Sequence, residues 1–353
     1  MNSRFVKIGK KEIGLEKNPY VIAEIGVNYD NDMEYVEELI QAAKRAGVDA
    51  AKFQTYTPSK IVAISSPKYW EDNRPEETQY EFFKRSNTFY HEETKQLANL
   101  CKKHGIPFMS TPFDLESVTL LDKLGVPAFK IASADITNYP LLKMVAKTGK
   151  PMLLSTGAAT VGEIEGATRI IEDEGNENIV LLHCILAYPT PVEHSHLRMI
   201  QSLRDVFPKY EVGWSDHVIP DDSVVIPTVA TVLGASVIEK HFTTDRTRPG
   251  NDHFHSVDEE LMTRLVQNVR LARTSMGEYM KRTMPVEEPA RKNARRSIAA
   301  SKEISEGEMF SEENLIMLRP GTGIHPMFFD KILGKIAKRD VKPGHLLDWE
   351  DIL

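Results

Sequence analysis

The chain has almost no cysteine. Two thiols, Cys101 and Cys184, stand among 353 residues, each inside an apolar segment. That excludes a disulfide framework and points to buried thiols in a reducing compartment. No apolar stretch approaches the ~20 residues needed to cross a bilayer. The opening residues, MNSRFVKIGKKEIG, lack the apolar core of a secretory signal. These absences predict a cytoplasmic protein with no membrane partner. There is no basic tract, and the formal net charge is −7. Nucleic acid is therefore not an expected partner, because phosphate-backbone affinity comes from clustered Lys and Arg. A Gly-rich phosphate loop ending in Lys-Ser/Thr and a GxSxG nucleophile are also missing. Low-complexity segments are absent too. What remains is an ordinary globular composition, 41% hydrophobic and 27% charged. The length suits one domain of ~250 residues and a small second one.

What is present is a rhythm. Apolar runs cover residues 21–26, 50–56, 108–113, 128–133, 152–157, 179–185, 211–217 and 236–242. Stretches of helical periodicity alternate with them, over 33–46, 91–104, 115–124, 141–147, 161–174, 197–207, 221–233 and 257–279. Eight strand-like runs separated by helices are the pattern of a (β/α)8 TIM barrel, an α/β fold whose chemistry gathers at the C-terminal strand ends. Residues 4–14 alternate weakly and suit a hairpin capping the barrel bottom. The connection 57–88 is long for a compact domain and carries Tyr69, Trp70 and Tyr80, which predicts a lid over the barrel mouth. The rhythm stops near residue 280. Residues 281–292 are charged, hold two prolines and read as a linker. Short β-like pieces follow at 297–300, 315–318, 336–337 and 352–353, between turn signals at Gly307, Gly321 and Gly344. The predicted division is a barrel over 1–280, a linker over 281–292 and a small domain over 293–353. About 60 residues is little for a free-standing core, so the tail is expected to pack on a barrel, its own or a partner's.

The ends of the eight runs carry the chemistry. In order they are Glu24; Lys52 and Gln54; Ser110 and Thr111; Lys130 and Ser133; Ser155 and Thr156; His183; Ser215, Asp216 and His217; Lys240 and His241. His217 and His241 close consecutive strands, which lie ~5 Å apart, so both imidazoles can reach one ion. The bland alternative is two hydrogen-bonded rim residues. The pair, with Ser215-Asp216 and Glu239-Lys240 beside it, favours a metal, with Asp216 as a supporting partner. Lys52 and Lys130, with Ser133, Ser155 and Ser215, suit phosphate and carboxylate groups. Internal pairing with Glu24 or Glu239 is the competing reading, since a buried Lys is costly without a partner. Glu24 is a candidate general base, a counter-ion for Lys52, or both. Two His-x-His pairs, His194/His196 and His253/His255, sit in loops. The first reads as solvated. The second follows Asp252, at the correct end of the barrel for Asp252 to touch substrate.

These residues lie in ten short motifs in chain order. They are Ala23-Glu24-Ile25-Gly26-Val27-Asn28, Lys52-Phe53-Gln54-Thr55, Ser110-Thr111-Pro112-Phe113, Phe129-Lys130-Ile131-Ala132-Ser133, Leu154-Ser155-Thr156-Gly157, Tyr188-Pro189-Thr190-Pro191, Ser215-Asp216-His217, Glu239-Lys240-His241-Phe242-Thr243, Pro249-Gly250-Asn251-Asp252-His253 and Leu318-Arg319-Pro320-Gly321. Together they resemble the sialic acid synthase family, the enzymes making N-acetylneuraminate, legionaminate and pseudaminate. The resemblance spans essentially the whole chain. It implies a barrel followed by an antifreeze-like (SAF, β-clip) domain, and condensation of phosphoenolpyruvate with an open-chain N-acylated aminosugar. It also implies a divalent ion held by His217 and His241, usually manganese, with magnesium or cobalt as substitutes. Lys52, Thr111, Lys130, Ser133, Ser155 and Ser215 match positions that hold phosphoenolpyruvate, the two lysines counting as catalytic as well. Glu24, Tyr188 and Asp252 match catalytic or sugar-contacting positions. Gln54, Asp135 and Leu186 fall where the family faces the sugar. Arg319 matches an arginine that the small domain inserts into the partner's barrel in a domain-swapped homodimer.

The chain departs from the family pattern at three places. Asn28-Tyr29-Asp30-Asn31-Asp32 replaces the usual Asn-His-Asn-Gly-Asp. Asp135 follows Ala134 where many members have Glu after Ser-Gly, and Leu186 replaces the Asn of neuraminate synthases. The acceptor is thus left open between N-acetylmannosamine and a 6-deoxy di-N-acetyl hexose. Competing functions are a synthase of a shorter ulosonate phosphate, a metallohydrolase barrel, and a non-enzymatic glycan-binding protein. The tail domain argues against the first, the lack of His-x-His on strand one against the second, and the Glu–Lys–His ring against the third.

Overall fold

A computed structural model describes residues 5–70, 74–250 and 252–353. It divides into two compact units, Met1–Gly277 and Glu278–Leu353.

The first unit opens with an antiparallel hairpin, β1 (Val6–Ile8) and β2 (Lys11–Ile13). Eight parallel strands follow: β3 (Tyr20–Gly26), β4 (Ala50–Thr55), β5 (Phe108–Pro112), β6 (Phe129–Ile131), β7 (Met152–Ser155), β8 (Ile179–Cys184), β9 (Glu211–Asp216) and β10 (Val237–His241). Their order is β5-β4-β3-β10-β9-β8-β7-β6, so the first and last of the eight are neighbours and the sheet curls into a barrel. β5 and β6 lie side by side at the seam without ladder pairing. Each of the eight apolar runs read from the sequence became one of these strands, within two residues at either end.

The helices form where apolar spacing and end signals agree. In Met33–Arg45, Val36, Leu39, Ile40 and Ala43 are buried on one stripe, and the Asp32 side chain accepts from the Glu34 and Tyr35 amides. The connection after β4 is not structureless. It holds helices Pro58–Ile61 and Gln79–Ser86, the latter capped reciprocally by Thr78 and Glu81. Trp70 packs edge-on against Phe82 at 4.8 Å, and Phe83 against Tyr56 at 5.4 Å. Residues 71–73 of this connection lie outside the described residues.

The barrel interior has two levels. The lower is apolar: Tyr20, Ile22, Ala50, Met109, Ala128, Leu153, Val180, Leu182 and Val237, closed beneath by Val6, Ile8 and Ile13 of the hairpin. Strand side chains alternate between faces, so the residue two positions further on also points inward. That rule turns Ile22 into Glu24, Ala50 into Lys52, Met109 into Thr111, Ala128 into Lys130, Leu153 into Ser155, Leu182 into Cys184 and Val237 into Glu239. The upper level is therefore polar except at Cys184, and it is buried.

The second unit has a small sheet, β11 (Ser297–Ala300) against β12 (Leu315–Leu318). An isolated bridge joins Ala299 of β11 to Leu346, and others pair Met309 with Ile336 and Ala337 with Ile352. Its own core contains Ile298, Ala300, Ile304, Phe310, Leu315, Ile324, Ile332 and Leu347. The stretch that reads as a linker contains a short helix, Glu288–Asn293, after a 3-10 turn at Pro285–Glu287. Both prolines sit in a first turn, where the missing N–H costs nothing, so they start helical structure here. Among the described residues, no helix is long and apolar enough to cross a membrane.

Candidate active site

The polar level of the barrel is one connected ion cluster. Lys52 Nζ lies 2.5 Å from Glu24 Oε2, 3.7 Å from Glu239 Oε2, and donates to Thr111 Oγ1 at 3.0 Å. Lys130 Nζ lies 3.3 Å from Glu239 Oε1, which also accepts from Ser215 Oγ at 3.0 Å. Gln54 Nε2 donates to Glu24 Oε1 at 3.3 Å. Both lysines thus have carboxylate partners inside the barrel, as the competing sequence reading held. Two features remain open to a ligand. Ser155 Oγ is buried without a hydrogen-bond partner among the described residues. Two lysines and two glutamates also balance to zero, so an anion would find no net charge against it.

The two glutamates differ. Burial pushes the Glu24 carboxyl up to about 7, against the attraction of Lys52. Glu239 feels burial too, but Lys130, Lys52 and the Ser215 hydroxyl together outweigh it and hold it below its usual range. Glu239 is then the standing counter-ion of the lysines. Glu24 is the carboxyl that can exchange a proton near neutral pH.

Above this level lies a cluster of imidazoles. The His217 and His241 rings are 5.4 Å apart and the His241 and His255 rings 4.9 Å apart. Asp252 Oδ2 is 3.5 Å from His241 Nδ1, and Asp252 Oδ1 is 3.7 Å from His255 Nε2. One ligand atom from each of His241, Asp252 and His255 falls within a 4.8 Å set. Burial pulls His217 down to about 4 and His241 and His255 well below the usual imidazole range, so all three are neutral at pH 7. His217 Nδ1 donates to the Ile185 carbonyl at 3.0 Å, which leaves Nε2 as the free lone pair. His241 Nδ1 and both ring nitrogens of His255 are buried with no hydrogen-bond partner among the described residues. Neutral imidazoles, orphaned buried nitrogens and a nearby carboxylate are the donor set a divalent transition ion takes. The residues fit a metal.

His255, read from the sequence only as half of a loop His-x-His pair and given no role, belongs to this cluster. It stands in a 3-10 turn, His253–His255, not on a strand. Val257 N donates to the His241 carbonyl at 2.9 Å and carries the turn back to the barrel end. Asn28, fully buried after β3, clamps the same loop: Oδ1 accepts from Asp252 N at 3.1 Å, and Nδ2 donates to the Phe242 carbonyl at 3.2 Å. The available signal was a His two residues beyond the strand-eight loop's Asp-His. The preceding residue, Asn251, lies outside the described residues.

Other expected residues fall in several places. The Tyr188 ring lies 4.2 Å from that of His217 and 6.4 Å from that of His241, inside the cluster. Ser133 opens a 3-10 turn, and its Oγ accepts from Gly157 N at 3.0 Å. A Cβ on Gly157 would come within 2.8 Å of that oxygen, so only glycine permits the approach. Asp135 is half-buried and accepts from Asn138 at 2.9 Å. Leu186, half-buried, follows β8 by two residues. Tyr69, on the connection after β4, is exposed, and its ring packs edge-on against Trp70 at 4.8 Å. Arg319 is exposed in the second unit and makes no hydrogen bond or ion pair among the described residues. Cys184 was unforeseen in the site. It faces the interior with its thiol pushed up to about 11 by burial.

Three residues prove to lie on the other face of the wall. His183 Nε2 donates to the Ser195 carbonyl at 2.9 Å, and the ring packs on Trp214. Asp216 and Lys240 pair with each other at 3.2 Å, so Asp216 does not support an imidazole directly. His253 is buried against Thr243, 2.8 Å from its hydroxyl, and is apart from the cluster. His194 and His196 are exposed, as read.

Comparison with known proteins agrees with this architecture. A model described as the NeuB family matches residues 39–281, and one described as the SAF domain matches 295–353. The N,N'-diacetyllegionaminic acid synthase of Legionella pneumophila is 39% identical, over 98% of this chain and 97% of its own. The pseudaminic acid synthase of Campylobacter jejuni is 36% identical, over 95% and 97%. A crystal structure of N-acetylneuraminic acid synthetase from Leptospira borgpetersenii, 31% identical, superposes with a TM-score of 0.72, over 81% of this chain and 95% of that one. Matched by the family pattern over more than half its length and by these relatives over nearly all of it, the chain belongs to the NeuB family of nonulosonic acid synthases and carries a SAF domain at its C-terminal end.

Proposed function

We propose that this chain condenses phosphoenolpyruvate with the open-chain form of an N-acylated aminosugar, giving a nine-carbon 2-keto-3-deoxy acid and phosphate. The observation that carries the reading is the stacking of two sites on one axis. A level of two lysines and several hydroxyls at the strand ends lies directly under a cluster of neutral imidazoles. One suits a phosphorylated acid and the other suits a metal that binds an oxygen of the acceptor.

In this reading Lys52, Lys130, Thr111, Ser133, Ser155 and Ser215 hold the carboxylate and phosphate of the donor. Gln54, Asp135, Leu186, Tyr188 and Asp252 face the sugar. His217 and His241 hold a divalent ion, with His255 and Asp252 beside them. Manganese is the expected ion. When bound, it supplies a Lewis acid for the aldehyde oxygen.

Carbon 3 of the enolpyruvate attacks the aldehyde carbon. The new C–C bond leaves an alkoxide, which takes a proton from solvent that Glu24 later returns, and a cationic centre at carbon 2. Water adds there and its proton passes to Glu24, whose raised affinity suits a base working near pH 7. The tetrahedral adduct then collapses to the ketone. Its C–O bond to phosphate breaks, and phosphate leaves with the hydroxyl proton.

The exposed guanidinium of Arg319 is proposed to complete the sugar site of a second copy in a domain-swapped homodimer. Its freedom from internal partners supports that role. The experiment is phosphate release from phosphoenolpyruvate across a panel of aminosugars, with and without Mn2+. Release that needs both a sugar and the ion supports the reading. Release indifferent to every N-acylated aminosugar contradicts it.

A further inference from the structure

Lys240 and Asp216 are the least expected pair in the barrel. Their side chains are 1% and 2% exposed. They point away from the active site, into a pocket lined by Val218, Val224, Val257 and Leu265. A buried ion pair in apolar surroundings is a poor source of stability, because desolvation offsets the attraction and two apolar residues of similar size serve as well. What such a pair supplies is direction.

Its location gives that direction a use. The ladder between β9 and β10 runs Ile238–Trp214, Glu239–Ser215, Lys240–Asp216 and stops there. The next residue on each strand is a histidine of the metal cluster. Past this point the strands lean on different neighbours, His217 O accepting from Thr190 N and His241 O from Val257 N. Lys240 spans the gap. Its Nζ lies 3.2 Å from Asp216 Oδ2 and donates to the Val218 carbonyl. Asp216 Oδ1 accepts from Val218 N at 2.8 Å. Both chain neighbours of His217 are therefore tied to the residue that precedes His241.

We propose that Lys240, with Asp216 as counter-ion, is a positioning residue that sets the separation of His217 and His241 for the metal. It touches neither metal nor substrate. The inference rests on the metal reading above. If it holds, metal affinity depends on Lys240 even when fold stability does not.

The test uses the full-length chain and Mn2+ alone, with free Mn2+ followed by electron paramagnetic resonance. Lys240→Met should weaken Mn2+ binding by about 10- to 100-fold, the usual cost of losing a residue that orients metal ligands. Lys240→Met/Asp216→Leu, with an apolar pair in place of the ionic one, should melt within a few degrees of wild type yet show the same loss. Asp49→Asn is the control. Asp49 is a buried carboxylate at the far end of the barrel, near Lys11 and Arg270. Its loss should lower Tm and leave Mn2+ affinity unchanged. Wild-type affinity in the double variant overturns the proposal, as does an equal loss of affinity in Asp49→Asn. Should the double variant not fold, Asp216→Asn decides alongside Lys240→Met. It keeps an oxygen for Lys240 and for Val218 N, and should retain most of the affinity that Met loses. Equal affinity in Lys240→Met and wild type also overturns it. A wild-type chain that binds no Mn2+ removes the metal reading, and this inference with it, and so is distinguishable from failure of the positioning role alone.

Discussion

Glu24→Gln separates the two roles open to Glu24, and the buried cluster sets the magnitudes. The substitution keeps size and the contact with Gln54 but removes the proton acceptor. As a base for the water that adds to carbon 2, Glu24 contributes on the order of 10²- to 10⁴-fold, so kcat should fall by at least about 100-fold. Donor binding should survive, because Lys52 keeps Glu239 at 3.7 Å and Thr111 at 3.0 Å. The cluster also gains one positive charge, so KM for phosphoenolpyruvate should stay level or drop.

The pH response has a definite sign. Burial raises Glu24 from 4.5 to about 7 in the folded chain. A raised carboxyl favours folding while protonated, and that advantage is lost as pH rises through 7. The difference is on the order of 3 kcal/mol between pH 4 and pH 9. Gln mimics the protonated form, so at pH 8 the variant should melt no lower than wild type. In wild type, kcat should climb with pH up to about 7 and then level off, and the variant should lack that rising limb. Steady-state kinetics from pH 5.5 to 9 and a melting series at the same values read both. A variant that keeps kcat but loses phosphoenolpyruvate affinity, and melts well below wild type at pH 8, would refute the reasoning. It would make Glu24 a plain counter-ion of Lys52.

Three further outcomes are expected. His217→Ala, His241→Ala and His255→Ala should each remove most Mn2+-dependent turnover while circular dichroism stays that of the folded barrel; near wild-type turnover in either His217→Ala or His241→Ala after chelation counts against a shared ion. Leu186→Asn should move preference toward N-acetylmannosamine and away from 6-deoxy di-N-acetyl sugars, by about 10-fold, since one side chain in an apolar site discriminates modestly; a wild-type chain that already prefers N-acetylmannosamine over every 6-deoxy sugar rejects the premise. Mixing Arg319→Ala with Glu24→Gln chains should return part of the activity that each lacks alone, because one site of a mixed dimer carries neither lesion; subunit exchange shown by co-purification without recovered activity would place Arg319 in cis.

Much of the site was legible because strand alternation is strict. Once Ile22, Ala50 and Ala128 are inside the barrel, Glu24, Lys52 and Lys130 must be inside as well, and the apolar runs locate each strand end closely. The same alternation explains the misreading of Asp216 and Lys240. They adjoin the histidines in sequence but face the opposite side of the wall, so proximity along the chain implied a contact that geometry forbids. His255 was not legible because a turn places it, through Asn28 and the Val257 amide, and neither contact follows a period. Pro285 and Pro289 look like breakers by composition, and only the helix start that follows each shows them at first-turn positions. Pairing of the lysines with Glu24 and Glu239 was one of two readings of the sequence, and pattern did not choose between them, since the choice depends on side-chain reach among β3, β4, β6 and β10.

The central claim is that phosphoenolpyruvate is attacked at carbon and loses phosphate by C–O cleavage, only when an aminosugar is present. Phosphoenolpyruvate carrying ¹⁸O in the bridging position tests it most directly, with wild-type chain, Mn2+ and the preferred sugar. The account predicts that the label appears in the released phosphate and that no phosphate forms without the sugar. Label retained in the organic product, or phosphate released at the same rate without sugar, would contradict it.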